Sequence, residues 1–268
     1  MICGMKHLYI LPLAISAVLL SSCVPGARIS LAGKQAVRTY TVSTSYSSLE
    51  VSNAVDVVYS EQADEAVVTA DSAVIQYVTV EEKGKSLKIY VSWKENGTFR
   101  YGDSGNITVT VPASVSLEQV SVRGASSFTS DFPLKADSFR VKVSGASKFK
   151  SDIEVESDLD IELGGASRIA SAVSAGVLEV NAGGASDASL EGSADEYRVS
   201  VSGASSVSSS RAYVSAGTFR CDISGASDCH VKCSGRAEGE VSGASSVVVY
   251  GDGAVDISSS GASSVHRR

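Results

Sequence analysis

The tripeptide Gly-Ala-Ser begins at Gly124, Gly145, Gly165, Gly184, Gly203, Gly225, Gly243 and Gly261, at intervals of 18–22 residues. Recurrence at such a period demands a repeat architecture, in which each unit buries its apolar face only by stacking on its neighbours. Alignment on the glycine exposes the rest of the unit. Four residues before it stand Val120, Val141, Ile161, Val180, Val199, Cys221, Gly239 and Ile257, and two before it Val122, Val143, Leu163, Ala182, Val201, Ile223, Val241 and Ser259. Four after it stand Phe128, Phe149, Ile169, Ala188, Val207, Cys229, Val247 and Val265, and the positions between are mostly polar. Apolar residues at every second position on both sides of a small-residue turn describe a strand, a tight corner and a second strand.

A helix is excluded because a period of two would spiral around it. An antiparallel sandwich uses similar strands, but has no reason to write one tripeptide at one phase eight times. The predicted fold is therefore all-β, a parallel β-helix of roughly 20 residues per coil, with two main sheets and a looser second turn at "LKADS", "VESD", "VSAG", "GSADE", "YVSAG", "SGRAE" and "GDGA". Within the corner, glycine supplies a positive φ and alanine fits inside the bend. The serines, Ser126 to Ser263, form one column whose hydroxyls can bond to neighbouring turns. The competing reading is an exposed serine ridge that binds a ligand.

The N-terminus carries a second signal. Lys6 and His7 precede an apolar run from Leu8 to Leu20, followed by Ser21, Ser22 and Cys23. This is an export signal, too short to span a bilayer, ending like the lipobox of bacterial lipoproteins. The predicted organisation is a signal peptide over 1–22, lipid attachment at Cys23, a tether over 23–37, irregular β-coils over 38–112 and the regular solenoid over 113–268. Several acyl chains, at about 0.8 kcal/mol per buried methylene, anchor such a chain stably to a membrane. Expected localisation is the cell envelope, on the outer membrane, at the cell surface or on its periplasmic side. In the irregular part, "LEVSNAVDVVYS", "EAVVTADS", "YVTVEEKGKSLKIYVSW" and "GNITVTVPASV" alternate without the tripeptide, and fit either wider coils or a separate capping sheet.

Three stretches resemble a known family: "SNAVDVVYSEQADEAVVTAD" at 52–71, "SLKIYV" followed by "NITVTVP" at 106–112, and the serial V-x-V-S-G-A-S units from Val120. In this order they are similar to the auto-transporter adhesin head domain, or GIN domain, of Bacteroidetes-type lipoproteins and exported proteins, over nearly all of Arg38 to Val265. The resemblance implies a right-handed, pectin-lyase-like β-helix with glycine-centred turns between two sheets, and a role in adhesion as a trimer.

The formal charge of −7 offers no basic field for nucleic acid. No column gathers the acidic and basic groups that β-helix enzymes converge in one groove, and His230 and His266 alone cannot build a histidine constellation. Asp152, Glu154, Glu156, Asp158, Asp160 and Glu162 alternate along the outside of one coil, as solvated charge or, in the sharper reading, a divalent-cation site. "CDISGASDCHVKC" gathers Cys221, Cys229, His230 and Cys233, but Cys221 and Cys229 fall on inward columns. They read as buried thiols, as a disulfide across the core, or as part of a metal site whose spacing matches no standard zinc pattern. No cofactor, catalytic residue or resident metal is predicted. The leading function is a non-catalytic, lipid-anchored adhesion or surface-interaction module whose partners are the membrane and a host-surface or envelope glycan or protein. The alternatives are a polysaccharide-active enzyme and a periplasmic lipid- or glycan-binding module.

Overall fold

The computed structural model describes residues 31–92, 106–207 and 213–268. The expected signal peptide, Cys23 and most of the expected tether lie outside the described residues. Where the glycine-centred units occur, the chain winds as stacked parallel coils. Strands β8 (Gln119–Val122), β11 (Phe139–Val143) and β14 (Asp158–Leu163) form the ladder before the corner, with Val120, Val141 and Ile161 in one column. After it, β9 (Ser127–Ser130) and β12 (Lys148–Lys150) align Phe128 with Phe149 and Ile169. The inward columns are buried through Val247 except at half-buried Gly239, and the Phe128 and Phe149 rings stack with centroids 5.1 Å apart. Period-two alternation thus becomes a continuous core, because each inward side chain lies over its counterpart in the next coil.

The second turn is more regular than the sequence suggests. In the early coils β10 (Leu134–Ala136) and β13 (Ile153–Val155) add a short third ladder. From β15 (Arg168–Ala182) and β16 (Asp187–Val201) onward, the strand bends there without a break, as it does in β19 (Asp228–Val241). The two main ladders expected from the sequence are present, and this bend joins them. The coil-to-coil register resumes on both sides of the bend, with Ala175 against Ala194 and Val177 against Glu196, and small residues at its apex, Ala175, Gly176 and Ala194, let the backbones approach.

The N-terminal section contains both arrangements that the sequence left open. β2 (Ser48–Ser52) and β3 (Asp56–Ser60) form a coil that pairs in parallel with β8 and β9 on one side. On the other side it pairs with β6 (Ser86–Val91) and β7 (Thr108–Pro112). The coil that comes first in sequence is therefore second in the stack. Three antiparallel strands close that end: β4 (Ala66–Asp71) on β7, β1 (Gln35–Tyr40) on β4, and β5 (Val78–Lys83) on β6. Gln35, Ala36 and Val37, read as tether, already belong to β1. The passage from β7 to β8 is pinned by two buried phenols: Tyr46 Oη donates to the Pro112 carbonyl, and the Ser114 amide donates to Tyr59 Oη at 2.6 Å. At the far end β21 (Ala254–Ser259) pairs with β19, while β20 (Ser246–Tyr250) lies between β19 and β22 (Ser264–Arg267). Ile257 and Val265, on inward columns, are half-buried there.

Candidate interaction faces

Each Gly-Ala-Ser unit makes the corner between the two ladders. The glycines have φ between 67° and 84°, the left-handed region that glycine enters without a Cβ penalty. From the Gly165 corner onward, the alanine amide donates to the glycine carbonyl of the preceding coil, as Ala166 does to Gly145 at 2.7 Å. The serines are buried, save half-buried Ser263 in the last coil, and the glycines exposed, so the tripeptide presents no serine ridge to a ligand. The alanines lie on the outer side of the corner, exposed or half-buried, rather than inside the bend. The inward position falls to serine because its hydroxyl closes the turn: Ser186 Oγ donates to the Gly183 carbonyl at 2.7 Å and Ser227 Oγ to that of Ser224 at 3.0 Å. The same hydroxyl column accepts amides from adjacent coils, as Ser245 Oγ does from Ser227 at 3.3 Å. Ser167 Oγ is buried without a partner among the described residues.

A ninth corner escaped the search for the tripeptide. In the coil of β2 and β3, Asn53 and Ala54 adopt φ of 62° and 69°, and the Ala54 amide donates to the Gly124 carbonyl at 3.0 Å. Asn53-Ala54-Val55 thus occupies the place of Gly-Ala-Ser. Its signal was an asparagine, which tolerates the left-handed region better than other residues with a Cβ, before alanine at the right phase.

The outer face of the first ladder holds a recess of about 630 Å³, whose walls include Glu179, Arg198, Arg220, Asp222, Glu238, Glu240 and Asp256. Ion pairs run across it from coil to coil. Glu196 bonds Arg198 at 3.0 Å and also Arg220; Arg220 reaches Glu238 at 2.8 Å; Arg236 joins Glu238 at 2.8 Å and Asp256 at 2.7 Å. Hydrogen bonds from Arg198 hold the Glu196 carboxyl below its usual range, and those from Arg220 and Arg236 do the same for Glu238. The acidic run is treated likewise by the coil before it, Lys135 pairing with Glu154, Arg140 with Asp160 and Lys142 with Glu162. Its outward alternation is present, but three of its six carboxylates are engaged by cations.

Cys221, Cys229 and Cys233 are free, buried thiols, so the bridge weighed from the sequence is not made in this structure. Burial pushes the Cys221 thiol up to about 12 and that of Cys229 higher still, which leaves both protonated and unreactive near neutral pH. His230 does not join them in a metal cluster. It faces outward on β19 and meets the rings of Tyr213 and Tyr250 edge-on, with centroids 5.9 and 6.4 Å away. His266 is exposed on β22. Among the described residues no group of three or more His, Cys, Asp or Glu side chains is placed to hold a metal ion, and no helix is long and apolar enough to cross a membrane.

Solved structures share this architecture. A "putative adhesin" from Parabacteroides distasonis superposes with a TM-score of 0.80 at 20% identity, covering 90% of this chain and 100% of that one. Another "putative adhesin", from Parabacteroides merdae, gives 0.77 at 17% identity, covering 90% and 99%. A "putative lipid binding protein" from Parabacteroides distasonis gives 0.77 at 18% identity, covering 90% and 100%. At these identities the likeness is one of fold. No curated protein matches the chain. The family model described as "Putative auto-transporter adhesin, head GIN domain" matches residues 45–253, from just before β2 to the turn after β20, and the chain belongs to that family.

Proposed function

We propose that this protein is a non-catalytic surface-interaction module of the cell envelope, anchored by lipid at Cys23, that offers the outer faces of its coils to adhesion partners. The observation that carries the reading is the ion-paired recess on the first ladder. General acid–base chemistry needs a carboxyl tuned toward the working pH, whereas Glu196 and Glu238 are shifted the other way and each is shared between arginines. Such a face is a rigid, hydrated array of charge, suited to recognition. The adhesin description of the family supports the same reading.

The test is adherence of cells carrying the wild-type gene or Cys23→Ser to immobilised matrix proteins and glycans, with protease shaving and membrane fractionation in parallel. Wild-type cells adhere and lose the protein to protease, while the Cys23→Ser protein leaves the membrane fraction. Turnover of an acidic polysaccharide by the purified protein would overturn the non-catalytic reading. Retention of the Cys23→Ser protein in the membrane overturns the anchor, and unchanged adherence after gene deletion overturns adhesion. Light scattering on delipidated protein tests the trimeric form, which a strict monomer contradicts.

A further inference from the structure

The outer surface of the second ladder changes character over the last coils. In a chain of net charge −7, Lys232 and Arg268 stand exposed there with His266, and neither of the two cations has an ion-pair partner among the described residues. Their neighbours are aromatic. Tyr213, just before β18 (Val214–Ile223), stacks on Tyr250 with centroids 4.4 Å apart and planes 17° from parallel, its hydroxyl donating to that of Tyr250 at 3.1 Å. His230 closes the cluster edge-on. The ladder sets the cations around it: Lys232 is in register with Tyr250, and the Arg268 amide and carbonyl bond the backbone on either side of Tyr250, at Val249 and Gly251. Val248, an outward position between His230 and His266, is only 8% exposed, so this surface has a solid apolar floor.

Cover for Val248 accounts for burying one side of the cluster. It does not account for unpaired cations around half-buried tyrosines, when Arg236 on the same strand β19 has two carboxylate partners. Planar rings beside unpaired cations match one ligand chemistry well: a sugar whose apolar C–H face lies on an aromatic ring while its carboxylate takes charge-assisted hydrogen bonds. We propose that Tyr213, Tyr250, Lys232 and Arg268 form a binding site for a carboxylated, uronate-bearing oligosaccharide. This rests on the adhesion reading and gives it a ligand class and a place on the molecule. The hydrogen bond between the two phenols raises the Tyr213 pKa, so that hydroxyl carries no negative charge against an anionic ligand near neutral pH.

Calorimetric titration of the full-length protein in detergent with hexagalacturonate tests the site, with cellohexaose as the neutral probe and a heparin hexasaccharide as the sulfated one. The expected result is binding of hexagalacturonate, weakened by salt and absent for cellohexaose. Tyr250→Ala lowers affinity by about tenfold and Lys232→Ala by about fivefold, as loss of a stacked ring and of one charge-assisted contact imply. Lys83→Ala, on the capping strand β5, leaves affinity unchanged, and Tyr250→Phe retains most of it, which separates ligand stacking from folding. Unchanged affinity in Tyr250→Ala, or tighter binding of the sulfated chain, overturns the proposal. No binding of hexagalacturonate by a protein that still mediates cell adherence overturns the ligand assignment and leaves the adhesion reading standing.

Discussion

The coil of β2 and β3 and the coil around Gly165 turn the same corner with different residues. In both, a left-handed residue at the apex sends the chain from the first ladder into the second, at φ of 62° for Asn53 and 74° for Gly165. What differs is the neighbour beneath. A Cβ added to Gly165 would lie 2.7 Å from the Gly145 carbonyl oxygen and 3.0 Å from its nitrogen, whereas one added to Gly124, stacked on Asn53, would come no nearer than 3.1 Å to the Asn53 amide nitrogen. The asparagine keeps its side chain because it has somewhere to put it, Nδ2 donating to the Val91 carbonyl at 3.1 Å. Backbone handedness makes the corner, and close stacking of corner on corner makes glycine obligatory.

The largest effect that can break this comparison is a methyl group at the two apices. Gly165→Ala carries both the left-handed penalty, about 1–2 kcal/mol, and a backbone overlap of the kind that costs about 1–3 kcal/mol. Gly124→Ala carries chiefly the first. Thermal or urea unfolding should therefore rank Gly165→Ala below Gly124→Ala by about 2 kcal/mol. Equal losses would mean that φ alone dictates glycine and that the stacking contact is irrelevant.

The corners also show how much of the fold the sequence carries. The eight tripeptides, the inward columns and the parallel register follow from periodicity, because coils related by translation repeat their own pattern. The order of the N-terminal coils does not. β2, β4, β5, β6 and β7 alternate alike, and nothing in a period of two says that β6 and β7 pair on the far side of β2 and β3, or that β4 and β5 run antiparallel. Pairing choice depends on which edges remain open, a property of the assembled stack. The site was less legible still. His230 was visible, but Tyr213 falls in the longest interval between tripeptides, the 22 residues from Gly203 to Gly225, which shifts it off the column count, so its stacking on Tyr250 across β19 could not be read from spacing.

The next effect lies in the core columns. Leu49 and Val57 flank the Asn53 corner where Cys221 and Cys229 flank that of Gly225, and all four are buried. The thiols are hydrophobes at neutral pH but ionise from about 9 in the unfolded chain, while Cys221 in the fold holds its proton to about 12. Between these values the unfolded state binds fewer protons, so stability is full below pH 9 and falls as pH rises. The slope is about 1.4 kcal/mol per pH unit from Cys221 alone. Unfolding at pH 8 and 10 should show the loss in the wild type and less of it in Cys221→Val/Cys229→Val, which makes these columns resemble the first coil. Equal losses would show that the thiols are not protected. A smaller effect separates the serines: Ser227→Ala removes a turn-closing hydrogen bond and costs about 1 kcal/mol, whereas Ser167→Ala removes a hydroxyl without a partner and is neutral or stabilising.

The smallest effect is the most exacting for the comparison. Asn53→Gly converts the first corner to the residue of the other eight without changing its φ. Glycine relieves the left-handed strain of asparagine, loses the 3.1 Å bond to the Val91 carbonyl, and adds freedom to the unfolded chain. These terms are each about 0.5–1 kcal/mol and oppose one another, so the expected net change is within about 0.5 kcal/mol. A large gain would show that asparagine is a strained substitute for glycine. A large loss would show that the Asn53 side chain is itself part of the corner, holding β6 against β2 where the stack passes from its regular coils to the inverted coil and its antiparallel cap.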